Sequence, residues 1–141
     1  MGNVVVDASV VVKWFVEEEQ TKEALEIRDG HIEGKVKIIA PELMPFEVLN
    51  ALHYKRLFKT AELAEISDAL EAYSFELRPL RGEYARLTLE VAEESRLTVY
   101  DAAYIALAEI EGAELITADM KIVGMLKGRC RLFVKGLRAG K

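Results

Sequence analysis

A chain of 141 residues, 51% hydrophobic, suits one domain with a core of its own, and its longest apolar runs fall short of the ~18 residues that span a bilayer. The opening Met1-Gly2-Asn3 lacks the basic start of a secretory signal, and the lone Cys130 can form no internal disulfide, so a soluble, cytoplasmic protein without thiol chemistry is expected. The net charge of −5 conceals a basic end, because residues 120–141 hold 7 of the 19 Lys and Arg and none of the 24 Asp and Glu; acidity elsewhere disfavours tight, sequence-independent duplex binding.

Asn3–Asp7 is a β-branched run of the kind found in buried parallel strands. Helical spacing follows over Ser9–Val16 and Thr21–Glu33, and a second strand at Ile38-Ile39-Ala40 precedes Pro41. Glu42–Leu57 and Ala61–Tyr73 read as helices, Phe75–Leu80 as the third strand, and Gly82–Arg96 and Thr98–Glu111 as another helical pair. Glu114–Thr117, Met120–Lys127 and Arg131–Val134 complete the series as strand, helix and strand. Strands separated by helical crossovers predict a parallel sheet covered on both faces, a three-layer α/β/α sandwich. In such sheets chemistry gathers beyond the carboxyl ends of the strands, where strand order reverses.

Four acids stand out against this frame. Asp7 ends the first strand and can cap the next helix, but Val4-Val5-Val6 and Val10-Val11-Val12 bracket it, and a charge beside an apolar interior needs a partner. Glu47 reads as a mid-helix acid with Leu43, Met44, Asn50 and Ala51 one turn away. No basic residue at that spacing can pair it, so it is expected to point inward with Asn50. Asp101 completes the capping box Thr98-Val99-Tyr100-Asp101 before the apolar run Ala102–Ala108. Asp119 follows Leu115-Ile116-Thr117 and can cap the helix at Met120. Taken singly these are caps or solvated charges; as a set of oxygen donors they read as a site for a hard divalent cation.

At these residues the chain resembles the PIN-domain nucleases, most closely the single-domain VapC toxins of prokaryotic toxin–antitoxin pairs. The resemblance rests on Val4-Val5-Val6-Asp7-Ala8-Ser9, Ala40-Pro41-Glu42-Leu43, Phe46–Leu52, Tyr100–Ala108 and Leu115–Asp119, in that order and spacing. It implies a five-stranded parallel sheet of order 3-2-1-4-5 and Mg²⁺- or Mn²⁺-dependent cleavage of RNA. It also implies that Asp7, Glu47, Asp101 and Asp119 are the catalytic, metal-binding acids, with Thr117 and Ser9 or Asn50 in support. Asp7 and Asp119 would hold the ion, Asp101 would share it or hold a second, and Glu47 would orient a water or act as base. A homodimer inhibited by a small antitoxin is implied as well.

Single-stranded or looped RNA is the expected substrate, with Lys13, Arg56 and the tail from Lys127 as phosphate contacts. Apolar residues on Ala61–Tyr73 suggest a partner surface, and His31 and His53, in no ligand-like spacing, are expected at the surface. A receiver domain would want paired acids after the first strand, and an Asp-x-Asp phosphatase has Ser9 where its second acid belongs. A protein- or RNA-binding module with little or no nuclease activity remains the alternative.

Overall fold

The computed structural model describes residues 2–125 and 134–136. β1 (Gly2–Val6) leads into α1 (Ala8–Val12) and α2 (Thr21–Ile32), and β2 (Val36–Pro41) into α3 (Met44–Lys55) and α4 (Thr60–Ala72). β3 (Glu76–Arg78) precedes α5 (Gly82–Ser95) and α6 (Val99–Glu111); β4 (Glu114–Thr117), α7 (Met120–Met125) and β5 (Val134–Gly136) follow. The strands form one parallel sheet in the order β3-β2-β1-β4-β5, the order expected.

The core follows from composition. Val5, Val6, Ile38, Ile39 and Leu115 are essentially removed from solvent, each burial contributing about 1.5–3 kcal/mol before entropy is counted. Helix α6 is apolar all round from Ala102 to Ala108 and lies buried on β1, β2 and β4, with α5 packed outside it. Helix α1 packs on β4 and α3, and α4 packs on α3. Chain order runs from β1 out to β3 and returns to β4 on the other side of β1, so the order in which strands are added reverses between β1 and β4 while all stay parallel. Val6 stands opposite Ile116 and the Asp7 amide donates to the Ile116 carbonyl at 3.2 Å. The carboxyl ends of the two strands therefore finish level.

Several boundaries differ from the sequence reading for local reasons. Helix α1 stops at Val12 instead of Val16 because Lys13, Trp14 and Phe15 turn by i−3 hydrogen bonds and the Trp14 indole N–H is drawn to the Ala24 carbonyl at 2.8 Å. Helix α3 starts at Met44, with Pro45 in its first positions, where the ring's fixed φ is already helical. β3 is trimmed by Ser74 at φ 58° on one side and Pro79 on the other. Of the expected strand Arg131–Val134, only Val134 lies within the described residues, as do only the residues to Met125 of the expected helix Met120–Lys127.

Two surface expectations are corrected. His31 is a partly buried strut: its Nδ1 accepts from the Ile38 amide at 3.2 Å and its Nε2 lies 2.7 Å from the Tyr73 carbonyl. β3 reaches back only to Glu76, opposite Ile39, so the ring takes the amide that the short strand leaves. His53 is exposed, as expected. On α4, Ile66 and Leu70 are buried, and the exposed large apolar side chains among the described residues include Phe46, Tyr54 and Leu57 of the α3 region and Val99 and Tyr100 at the start of α6.

Candidate active site

All four acids lie at the N-terminal ends of helices. Asp7 is the N-cap of α1, Glu47 and Asp101 sit in the first turns of α3 and α6, and Asp119 directly precedes α7, its carbonyl accepting from the Ile122 amide at 3.1 Å. Glu47 is thus a helix-start acid and not a mid-helix one. Helices α3 and α6, of 12 and 13 residues, offset part of the adjoining negative charge through their aligned peptide dipoles. Helices α1 and α7 are too short to offer much beyond their first amides.

Asp7 is held on every side. It is 5% exposed, and its Oδ1 accepts from the Ser9 amide at 3.0 Å and from the Ser9 hydroxyl. The fully buried Thr117 hydroxyl donates to Oδ2 and itself accepts from the Asp119 amide at 3.0 Å. The Ser9 hydroxyl accepts from the Ala118 amide at 3.1 Å. Two hydroxyls thus stitch the turn after β1 to the turn after β4. Burial pushes the Asp7 carboxyl above its usual range, the Ser9 and Thr117 hydrogen bonds pull it back, and Asp119 pushes it up again.

Glu47 approaches from α3. It is half-buried, and its Oε1 accepts from the Tyr104 hydroxyl at 2.7 Å. Burial pushes its carboxyl above the usual range, the Tyr104 bond opposes this, and the charges of Asp101 and Asp7 push it further up. The charges acting on Asp7 and Glu47 therefore come from acids, in a chain running from Asp119 through Asp7 and Glu47 to Asp101. Tyr104 is 2% exposed, and burial followed by the Glu47 charge lifts its phenol far above the usual range. It remains a proton donor.

The donor set suits a hard cation in chemistry, being all oxygen and mutually repulsive. Among the described residues, however, no three His, Cys, Asp or Glu side chains are gathered closely enough to hold an ion as they stand. Both oxygens of Asp7 and one of Glu47 are instead turned to hydroxyls.

The supporting residues sort cleanly. Thr117 and Ser9 touch Asp7, whereas Asn50 is exposed on α3 beside Glu47 in a groove of about 980 Å³ that Phe46, Leu63 and Tyr100 also line. Lys13 does not project as a phosphate contact: it is buried and pairs with Glu18 at 3.3 Å, which also binds Lys55 at 2.7 Å. Arg56 is exposed at the end of α3, and the tail from Lys127 lies outside the described residues apart from 134–136. Tyr104 was missed by reading Ala102–Ala108 as merely apolar. Its hydroxyl, one turn after Asp101, was the available signal.

The PIN domain family model matches residues 4–124, a span that contains all four acids. The chain belongs to the PIN-domain family. This PIN domain is 31% identical over 128 residues to Ribonuclease VapC3 of Pyrobaculum aerophilum, covering 84% of this chain and 90% of that protein. It is 30% identical over 100 residues to Exonuclease VapC9 of the same organism, covering 71% and 75%. It also shares its fold with a toxin-antitoxin complex from Klebsiella pneumoniae, with a TM-score of 0.61 at 18% identity over 96% of this PIN domain and 98% of that chain.

Proposed function

We propose that this PIN domain is a Mg²⁺- or Mn²⁺-dependent endoribonuclease, the toxin of a cytoplasmic toxin–antitoxin pair. The observation that carries this reading is the joining of Asp7 to the β4 turn through Thr117, which sets two acids from distant parts of the sequence on one edge of the sheet. The names of its ribonuclease and exonuclease relatives and its likeness to a toxin-antitoxin complex support it.

In this reading Asp7 and Asp119 would hold the ion, with Asp101 sharing it or holding a second and Glu47 orienting a water beside it or acting as base. When bound, Mg²⁺ or Mn²⁺ supplies a Lewis acid that makes water a better nucleophile and offsets charge on a phosphodiester. Ser9 and Thr117 keep Asp7 in one orientation, so little ordering is left to be done when substrate arrives. Glu47, its carboxyl raised above the usual range, is suited to take a proton from the attacking water. Its Oε1 is engaged by Tyr104, which leaves Oε2 as the accepting atom.

A circular single-stranded RNA tests activity and mode together. Mn²⁺-dependent opening of the circle, stopped by chelator and absent in Asp7→Asn, is expected. Retained cutting by Asp7→Asn purified free of host nucleases would sink the site, and degradation of linear but not circular RNA would make the enzyme an exonuclease. Copurification with a small protein encoded beside it, which silences it, tests the antitoxin partner.

The second reading, a binding module with little nuclease activity, is favoured by the carboxylates not being gathered into a ready cage. Mn²⁺ titration separates the two. A metal site raises the melting temperature by mass action, by about 2.7 kcal/mol of stability at a hundredfold excess over Kd. No shift at millimolar Mn²⁺ would favour the module.

A further inference from the structure

We propose that Tyr104 is a positioning residue that fixes the Glu47 carboxylate for a divalent cation while leaving its charge uncancelled. This deepens the metal-dependent reading and rests on it.

A buried tyrosine hydroxyl needs a polar partner, and a backbone carbonyl ordinarily suffices. Tyr84, also buried, is satisfied in that way, donating to the Ala103 carbonyl at 2.8 Å. Tyr104, in the same helical core, instead gives its one hydrogen to Glu47 Oε1 at 2.7 Å. One phenol thus links α6 to α3. Tyr104 also follows Asp101 by three positions, which places both on one face of α6, and the charges of Asp101 and Asp7 both reach Glu47.

The choice of donor has a chemical consequence. A lysine or arginine at this position would pair with Glu47 and neutralise it, and water would leave its three rotatable bonds free. A phenol restricts the carboxylate yet carries no charge, so the anion keeps its full attraction for a cation. The 2.7 Å contact commits the phenol's one hydrogen to Glu47.

Calorimetric titration of Mn²⁺ into the full chain tests this with Tyr104→Phe, Glu47→Asp, Glu47→Ala and the Tyr104→Phe/Glu47→Ala double variant, each also melted in chelator. Tyr104→Phe is expected to bind Mn²⁺ about tenfold more weakly, the usual scale for removing a group that orients a ligand. Glu47→Asp keeps the charge but shortens the reach to Tyr104, and is expected to weaken binding similarly. In the Glu47→Ala background, Tyr104→Phe is expected to add nothing. Wild-type affinity in Tyr104→Phe, or an equal loss in both backgrounds, overturns the proposal. If Tyr104→Phe melts well below wild type, Glu47→Asp decides, and wild-type affinity there overturns it. A wild type that binds no Mn²⁺ removes the metal reading itself, and the proposal with it, before any variant is compared.

Discussion

The hydrogen bonds of Asp7 and Glu47 set what single substitutions should do. Thr117→Val is nearly isosteric but removes a hydroxyl that serves Asp7 and the Asp119 amide at once. Stranding buried polar groups costs about 1–3 kcal/mol each. A fall of that order in urea denaturation is expected, with Thr117→Ser restoring most of it. The acids themselves work the other way. Their native pKa values lie above the ordinary values of 3.8 for Asp7 and 4.5 for Glu47. The native state therefore binds protons more tightly than the unfolded chain, and the stability these groups contribute is present in acid and lost as pH rises through the native values. In chelator, the melting temperature should fall as pH rises from the ordinary carboxylate range through the native values, and this dependence should flatten in Asp7→Asn and Glu47→Gln. A steeper dependence in the variants would contradict the assigned shifts. The acids were legible from sequence because each stood out against apolar neighbours. Tyr104 was not, because a phenol within an apolar run gives no hint of which carboxylate from another helix it meets.

Element boundaries were legible where punctuation is unambiguous and lost where tertiary contacts decide. β4 was placed to the residue, between Gly112 at φ 62° and the turn at Ala118. Helix α1 was overextended because its end depends on Trp14 reaching a carbonyl ten residues onward, which no local pattern reveals. Trp14→Phe keeps the ring against Tyr73 and Phe75 but drops that hydrogen bond, so a loss of about 1–3 kcal/mol is expected. An unchanged denaturation midpoint would show that the turn at residues 13–15 holds without it. Helix α3 was begun too early at Glu42 although Pro45 was visible. Its preference for the first helical turn would have moved the start to Met44 and made Glu47 a helix-start acid, like the other three.

At the scale of the whole molecule, the alternation of strands and helices pointed to a parallel sheet, but strand order came from resemblance and not from periodicity. Pattern says which residues form strands; only the long return from β3 past β1 says that β4 lies beside β1. The surface expected on α4 is narrower than its apolar spacing suggested, with Leu63 and Ala64 lining a groove beside Phe46 and Tyr100. Ile66 and Leu70 of α4 are covered by neighbouring elements, while Phe46 and Tyr100 are left 78% and 61% exposed. If the homodimer that the resemblance implies uses that face, sedimentation should give twice the chain mass for wild type and the single mass for Phe46→Glu. A wild-type monomer would discard the dimer. The spacing of the four acids from Asp7 to Asp119 also has a consequence for biosynthesis. Synthesis reaches Asp7 early, but the hydroxyl and amide that tie it to the opposite turn belong to residues 117 and 119. A nascent chain still short of β4 has no complete site, so a nuclease built this way stays inert toward the message being translated until its own synthesis is nearly finished.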